Sequence, residues 1–211
     1  MRKSRLSNLN FMALCCVLGL FTKKLINPLA NVITESLHIP GGISTGFSIM
    51  FLVVAAEVVW ESQNKMSSRR AGQRCGESAK REEETAYSRK SAKDSIQYCG
   101  TLMGAVQGFL ALCLGRVGSM GILAPIGYLV PGMSIDLVYR LAKHLKFDRT
   151  ERMVFANALA AVMASVTANA IVFRLWGPVL ALYLCVSATS GTIYGFLGAV
   201  VAKRLTRISE G

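Results

Sequence analysis

The sequence predicts an all-α polytopic membrane protein, a six-transmembrane-helix bundle with both termini on the cytoplasmic side, and three observations carry that prediction. Hydrophobic side chains make up 52% of the 211 residues and charged ones only 17%, a balance unusual for a water-soluble domain. The apolar residues gather into six runs, and a helix of about 20 apolar residues is long enough to cross a bilayer core. Lys and Arg collect in alternate connections between those runs, as they do when one side of the membrane retains positive charge.

The first run, 8–22, is short, and Lys23 and Lys24 extend it by lying along the apolar surface with their ammonium groups at the interface. Basic residues at 1–5 followed by an apolar stretch also open a secretory signal peptide, but no small-x-small cleavage site follows Leu20, so this helix is expected to persist. The second run, 41–60, is entered through "SLHIPGGISTGF". Pro40 suits a helix start, where its missing N–H would have no partner anyway, and Gly41-Gly42 lets the chain turn or a ligand approach the backbone. The third run is 98–115. The fourth, 119–141, contains Pro125 and Pro131-Gly132, and a proline that removes a backbone donor beside a permissive glycine predicts a kink or break. The fifth and sixth are 153–173 and 178–202.

Between the second and third runs, residues 61–97 are rich in Ser, Lys, Arg and Glu and nearly empty of large aliphatic side chains. Such a segment cannot bury enough surface to fold alone, so a flexible charged cytoplasmic loop is expected. Of the 24 Lys and Arg, only Lys23, Lys24, Arg116 and Arg174 fall outside the N-terminal stretch, this loop, the 140–152 connection and the C-terminal end. That asymmetry places both termini inside. Trp60 and Trp176 fall at opposite interfaces, where indole rings settle. The net charge of +12 is therefore a consequence of topology, and nucleic acid is not an expected partner.

Enzyme signatures are missing. Cys15, Cys16, Cys75, Cys99, Cys113 and Cys185 form no C-x-x-C pair, and they read as small apolar packers rather than zinc or redox ligands. With His38 and His144 as the only histidines there is no H-E-x-x-H, and with no Gly-Lys dipeptide there is no phosphate-binding P-loop. No metal site, cofactor or catalytic residue is expected, and any uphill transport must draw its energy from another chain.

Small residues recur at four-residue spacing: Gly100, Gly104 and Gly108; Ala156, Ala160 and Ala164; Ser187, Gly191, Gly195 and Ala199. Rows of this kind let helices approach closely, either inside a bundle or against another membrane subunit. Glu57 and Asp136 are acids within spans, read as ion-paired or interfacial groups with Arg140 the partner of Asp136, or as sites of coupling. Near the outer half stand His38, Ser44, Thr45, Gln107, Tyr128, Asn169 and Tyr183, a mixture of donors, acceptors and aromatic faces suited to a small polar organic ligand.

The order "NPLANVITESLHIPGGISTGFSIMFLVVAAEVV", a charged loop, "GTLMGAVQGFLALCLG", "GILAPIGYLVPGMSIDLVYRL" and a Gly-rich last helix resembles the substrate-binding S component of energy-coupling factor (ECF) vitamin transporters. It is most similar to the branch linked to thiamine or its hydroxymethylpyrimidine precursor. The 61–97 loop is longer than in that branch, and the first helix carries Ala13-x-x-x-Val17 and Cys15-x-x-x-Gly19 where many S components have Ala-x-x-x-Ala. The resemblance implies capture of a vitamin-like compound from outside, with an ECF transmembrane coupling subunit and two cytoplasmic ATPases as partners. It further implies a docking face of small residues, here Ala13, Cys15, Gly19, Gly191 and Gly195. A membrane enzyme or a membrane-protein assembly factor is the other class of function open to a chain of this size. The topology is tested at Cys75: in sealed inside-out vesicles a membrane-impermeant maleimide should label it, and in intact cells it should not.

Overall fold

The computed structural model describes residues 9–22, 43–73, 98–115, 123–145, 147–172 and 176–208, with a few isolated positions between them. All six segments are helical: α1 (Leu9–Thr22), α2 (Ile43–Gln73), α3 (Cys99–Cys113), α4 (Ala124–Leu145), α5 (Arg149–Val166), which runs on as a π-helical turn at Thr167–Val172, and α6 (Pro178–Ile208). By length and composition three stretches can cross a membrane, Thr45–Ser62, Arg149–Ala170 and Pro178–Arg207. α1 and α3 are apolar but shorter, and α4 carries Asp136, Arg140 and Lys143 along its length.

Local chemistry sets several of the ends. α5 begins at Arg149, ahead of the expected 153, because Asp148 and Glu151 form a capping box in which the Asp148 N–H donates to Glu151 Oε2 at 3.3 Å. α3 stops where Gly115 turns to φ +63° and donates its N–H to the Leu112 carbonyl at 3.0 Å, a left-handed position that glycine takes without steric cost. α2 does not stop at the expected boundary of 60 but continues through Gln73, so the first third of the polar 61–97 segment is helical; 74–97 lies outside the described residues. Pro131 lies inside α4, and the helix is continuous across it. The departure from α-helical geometry falls instead in α5, at the π-turn.

Neighbouring contacts give the direction of each helix. Gly19 of α1 faces Ser48 and Phe51 of α2, while Cys16 and Gly19 meet Met103 and Gln107 of α3. Gly46 faces Ser190 and Tyr194 of α6 and Gly198 faces Met50 and Val54, so α2 and α6 run in parallel. Gly100, Gly104 and Gly108 of α3 meet Gly132, Tyr128 and Pro125 of α4, an antiparallel pair. Gly191 and Gly195 of α6 meet Ala158 and Val154 of α5, also antiparallel. Since α1 opposes α2 and α2 parallels α6, the start of α1 and the end of α6 stand at the same end of the bundle. Glu57, Glu61, Asp148, Arg149, Arg152, Lys203, Arg204 and Arg207 share that end.

α2 is the central pillar. Leu52, Val53, Val54, Ala55, Ala56 and Glu57 are buried in succession, as happens when a helix is covered on every side. The core around it takes Met103 from α3, Ile135 and Val138 from α4, Met153, Ala156 and Ala160 from α5, and Ala199 and Ala202 from α6.

All three small-residue rows are used up between helices of this chain, and their members are buried. Of the residues expected to dock a partner, Cys15, Gly19, Gly191 and Gly195 face inward, because another helix crosses where they leave room; Ala13 alone is on the surface. What does lie outside is large and apolar: Leu102, Val106 and Phe109 on α3 and Ile193, Phe196 and Leu197 on α6. α6 has a mean hydropathy of 1.6 over its span yet only 33% of that span is buried. Apolar surface of that extent is the signature of a membrane or partner contact.

The closest crossing yields a contrast. A Cβ at Gly132 would meet the carbonyl oxygen and carbon of Gly100, both rigid backbone, whereas a Cβ at Gly198 would meet the Met50 side chain, which can move aside. Gly132→Ala should lower unfolding stability in detergent by about 1–3 kcal/mol through overpacking. Gly198→Ala should be neutral, or stabilising by up to about 1 kcal/mol through helix propensity.

Candidate functional site

Polar side chains inside the bundle fall into two groups, one at each end. At the end opposite the chain termini, α5 and α6 carry a polar seam whose register is regular. Ser165 and Ser187 share a hydrogen bond at 2.6 Å; one turn towards the termini Ala161 meets Gly191, and one turn further Asn157 meets Gly195. In the other direction, past Ser165 and Ser187, Asn169 lies within the π-turn and is buried, and Tyr183 on α6 is half-buried.

The π-turn shapes the seam. A wide turn leaves ordinary i→i−4 backbone bonds unmade, and side chains stand in for them here. Thr167 Oγ1 donates to the Met163 carbonyl at 2.8 Å, and Asn169 Nδ2 donates to the Ser165 carbonyl at 3.0 Å. Deeper in, Asn157 bridges three helices, donating through Nδ2 to the carbonyl of Gly191 at 2.7 Å and of Gly46 at 3.4 Å. Its Oδ1 is buried and has no hydrogen-bond partner among the described residues. Buried polar groups without partners are uncommon, and this one lies at the floor of the seam.

The expected ligand residues separate under this geometry. Asn169 donates to Ser165 on the seam, and Tyr183 stands half-buried one turn before Ser187 on α6. Thr45, half-buried, precedes Gly46 at the α2–α6 contact, and its carbonyl accepts from Ser48 Oγ at 3.0 Å. Ser44 stands in the first turn of α2, and His38 lies outside the described residues. Gln107 does not join them: it is buried on the far side of α2, where its amide Nε2 donates to the Cys16 carbonyl at 3.2 Å and ties α3 to α1. Tyr128 belongs with Gln107, its carbonyl packed against Gly104. Ser165 and Ser187 are the seam residues that a reading of single positions passes over, since a serine within an apolar run carries no signal until its partner is known.

At the end that holds the chain termini, an ion-pair network joins α2, α4 and α5. Glu57 is 1% exposed. Arg152 grips it with two bonds, Nη2 to Oε1 at 2.6 Å and Nε to Oε2 at 3.2 Å, the forked geometry that a planar guanidinium offers a carboxylate. Tyr139 donates its hydroxyl to Oε2 at 2.8 Å. Arg149 approaches Oε1 at 3.4 Å and pairs with Glu61 at 2.8 Å, and it reaches Thr206 of α6 at 3.3 Å. Two guanidiniums thus balance two carboxylates. The Arg152 guanidinium also lies 5.8 Å from the Trp60 ring centre and 5.5 Å from that of Tyr139, within cation–π range.

Asp136 is held differently from the expected pairing with Arg140. Its carboxylate accepts from the N–H of Gly100 at 2.8 Å, the N–H of Thr101 at 2.7 Å and the Thr101 hydroxyl at 2.5 Å. It therefore satisfies the free amides and the positive dipole end of α3. Arg140 turns aside to lie over the Tyr98 ring, 4.5 Å from its centre. Both acids are structural ties between helices.

Compared with family models, curated proteins and solved structures, the chain matches none. The functional reading rests on the two polar groups and on the helices that position them. Chemically the seam offers hydroxyls, amides and a phenol, a set that binds by hydrogen bonds.

Removing half of the Glu57 pair leaves a buried charge uncompensated. Glu57→Gln should cost about 3–5 kcal/mol of stability in detergent. Glu57→Leu combined with Arg152→Met should cost less than the sum of the two single changes, which a double-mutant cycle by chemical unfolding measures.

Proposed function

We propose that this chain is the substrate-capture (S) subunit of an ATP-driven importer of the ECF type. It takes a vitamin or vitamin precursor, of the thiamine or hydroxymethylpyrimidine class, at the outer end of a six-span bundle. Both termini lie in the cytoplasm, and the location is the cytoplasmic membrane of a prokaryote. The observation that carries this reading is the seam between α5 and α6: hydrogen-bonding side chains, Ser165, Asn169 and Ser187, lie towards the end opposite the basic one, while that basic end fits the cytoplasmic side. A ligand with a polar heterocycle would enter from outside, place its ring against Tyr183 and its donors and acceptors against Asn169 and the serines beneath.

The partners in this reading are a transmembrane coupling subunit and two cytoplasmic ATPases, since no P-loop is present in the chain. The exposed side of α1, with Ala13 flanked by Leu14, Val17, Leu18 and Phe21, is the face available for the coupling subunit. A small residue between larger ones allows a partner helix close approach there.

Ligand binding tests the reading directly. Purified protein in detergent, screened by thermal shift against thiamine, hydroxymethylpyrimidine, biotin and riboflavin, should be stabilised by a thiamine-type compound, by about 2.7 kcal/mol at a concentration one hundred times its Kd. Asn169→Leu and Tyr183→Ala should each weaken that ligand at least about 10-fold, the effect of one lost hydrogen bond or ring contact of 1.4 kcal/mol. Gln107→Leu should leave affinity unchanged. A panel in which no compound shifts the melting curve defeats the proposal.

A further inference from the structure

Five sulfur-bearing residues meet where α1 runs beside α3, near the end of the bundle that holds the chain termini. Met12 lies in the first turn of α1 and Cys99 opens α3. Cys99 Sγ stands 3.8 Å from Met12 Sδ and 3.9 Å from Met103 Sδ. Cys16, one turn along α1 from Met12, brings its Sγ to 3.9 Å from the Met103 carbonyl, and Cys15 is its neighbour. Cys15, Cys16, Cys99 and Met103 are buried, and all three cysteines are free thiols.

The geometry points to a binding site for a soft monovalent metal ion, Cu(I) or Ag(I), held by Cys99, Met12 and Met103 with Cys16 alongside. Counting only His, Cys, Asp and Glu, no three groups are placed to share a metal among the described residues; the two thioethers complete the set. With metal–sulfur bonds of about 2.3 Å, sulfurs around a trigonal or tetrahedral ion stand about 3.8 to 4.0 Å apart. Both sulfur–sulfur separations from Cys99 have that value, so each Cys99–Met pair already stands at the spacing that a shared ion requires. The same spacing packs the metal-free core, and the site is therefore compatible with either state.

Charge and softness select the ion. Thiolate with thioether is a donor set that favours Cu(I) over harder divalent ions. Binding would release the Cys99 proton to solvent and combine one thiolate, two neutral thioethers and a single positive charge into a neutral unit. A divalent ion on the same ligands would leave a net positive charge inside the bundle, which is costly in a medium of low dielectric. The site is independent of the vitamin-binding seam, which lies at the other end of the bundle, so either reading can fail without the other.

The test uses the full chain in detergent under anaerobic conditions, with Cys75, Cys113 and Cys185 replaced by Ser so that thiols outside the cluster do not compete. Titrated with Cu(I) against bathocuproine disulfonate, this protein should retain one equivalent, and X-ray absorption should report sulfur neighbours alone. Adding Met12→Leu with Met103→Leu, volume-conserving changes that cores tolerate, should weaken retention at least about 10-fold, no less than the loss of a supporting group around a metal. Cys99→Ser should abolish it. No retained Cu(I), oxygen or nitrogen neighbours in the absorption spectrum, or retention unchanged by the methionine pair would overturn the assignment; the spectrum decides it even where a variant fails to fold.

Discussion

Backbone-to-backbone approach between helices is the constraint on which the rest of this structure depends. Among apolar helices in lipid the hydrophobic effect supplies no preference for helix over hydrocarbon, so association must come from dispersion and from polar contacts that short distances allow. Gly100 against Gly132, Gly104 against the Tyr128 carbonyl, and Gly191 and Gly195 against the Cα atoms of Ala158 and Val154 bring two helix pairs to backbone contact. That closeness is what lets Asp136 reach the first amides of α3 and lets Ser165 reach Ser187. With larger residues in the rows, the helices would stand apart and each of these polar groups would lose its partner.

Polar contacts then divide the bundle into two functional ends. Formal charge is concentrated at the end where α1 starts and α6 finishes, and the acids buried there are paired: Glu57 with Arg152, Glu61 with Arg149. The opposite end uses neutral groups, Asn157, Ser165, Asn169, Ser187 and Tyr183. Breaking a buried ion pair is expensive, whereas hydrogen bonds among hydroxyls and amides exchange at small net cost. The charged end is thus the costlier of the two to open, and the neutral end the one whose contacts exchange more readily.

Much of the architecture was legible in the sequence and much of the site was not. Apolar runs marked all six helices because hydropathy is a one-dimensional property, and the small-residue rows marked which faces cross closely. Which partner each row meets is a matter of helix rotation, and no period in the chain encodes it; hence Cys15 and Gly19 turn inward with Gly191 and Gly195, and Ala13 alone remains outside. Spacing along one helix pairs Asp136 with Arg140, yet its oxygens accept from the helix-start amides of α3, which the close α3–α4 crossing brings within reach, while the Arg140 guanidinium lies over Tyr98. The start of α5 could have been read from Asp148-x-x-Glu151, a capping box written plainly in the sequence. Gln107 joined the outer set by depth alone, and depth does not say on which side of α2 a residue stands.

The π-turn explains why the seam lies between α5 and α6 rather than elsewhere. The break was expected at Pro131-Gly132, but there Pro131 is buried and Gly132 is pressed against α3, so that segment has no room to widen. In α5 the π-turn begins beyond the tight crossings: Gly191 of α6 meets the Cα of Ala158 and the Cβ of Ala161, and one turn on Ser165 meets Ser187 through side chains. Contact through side chains leaves the helix freer to take a wider turn. Thr167 and Asn169 then supply the bonds that the widened turn gives up. A helix so held is kept together by side chains that the guest of the proposed function would also address, so that binding at the seam would be coupled to the geometry of this end of α5.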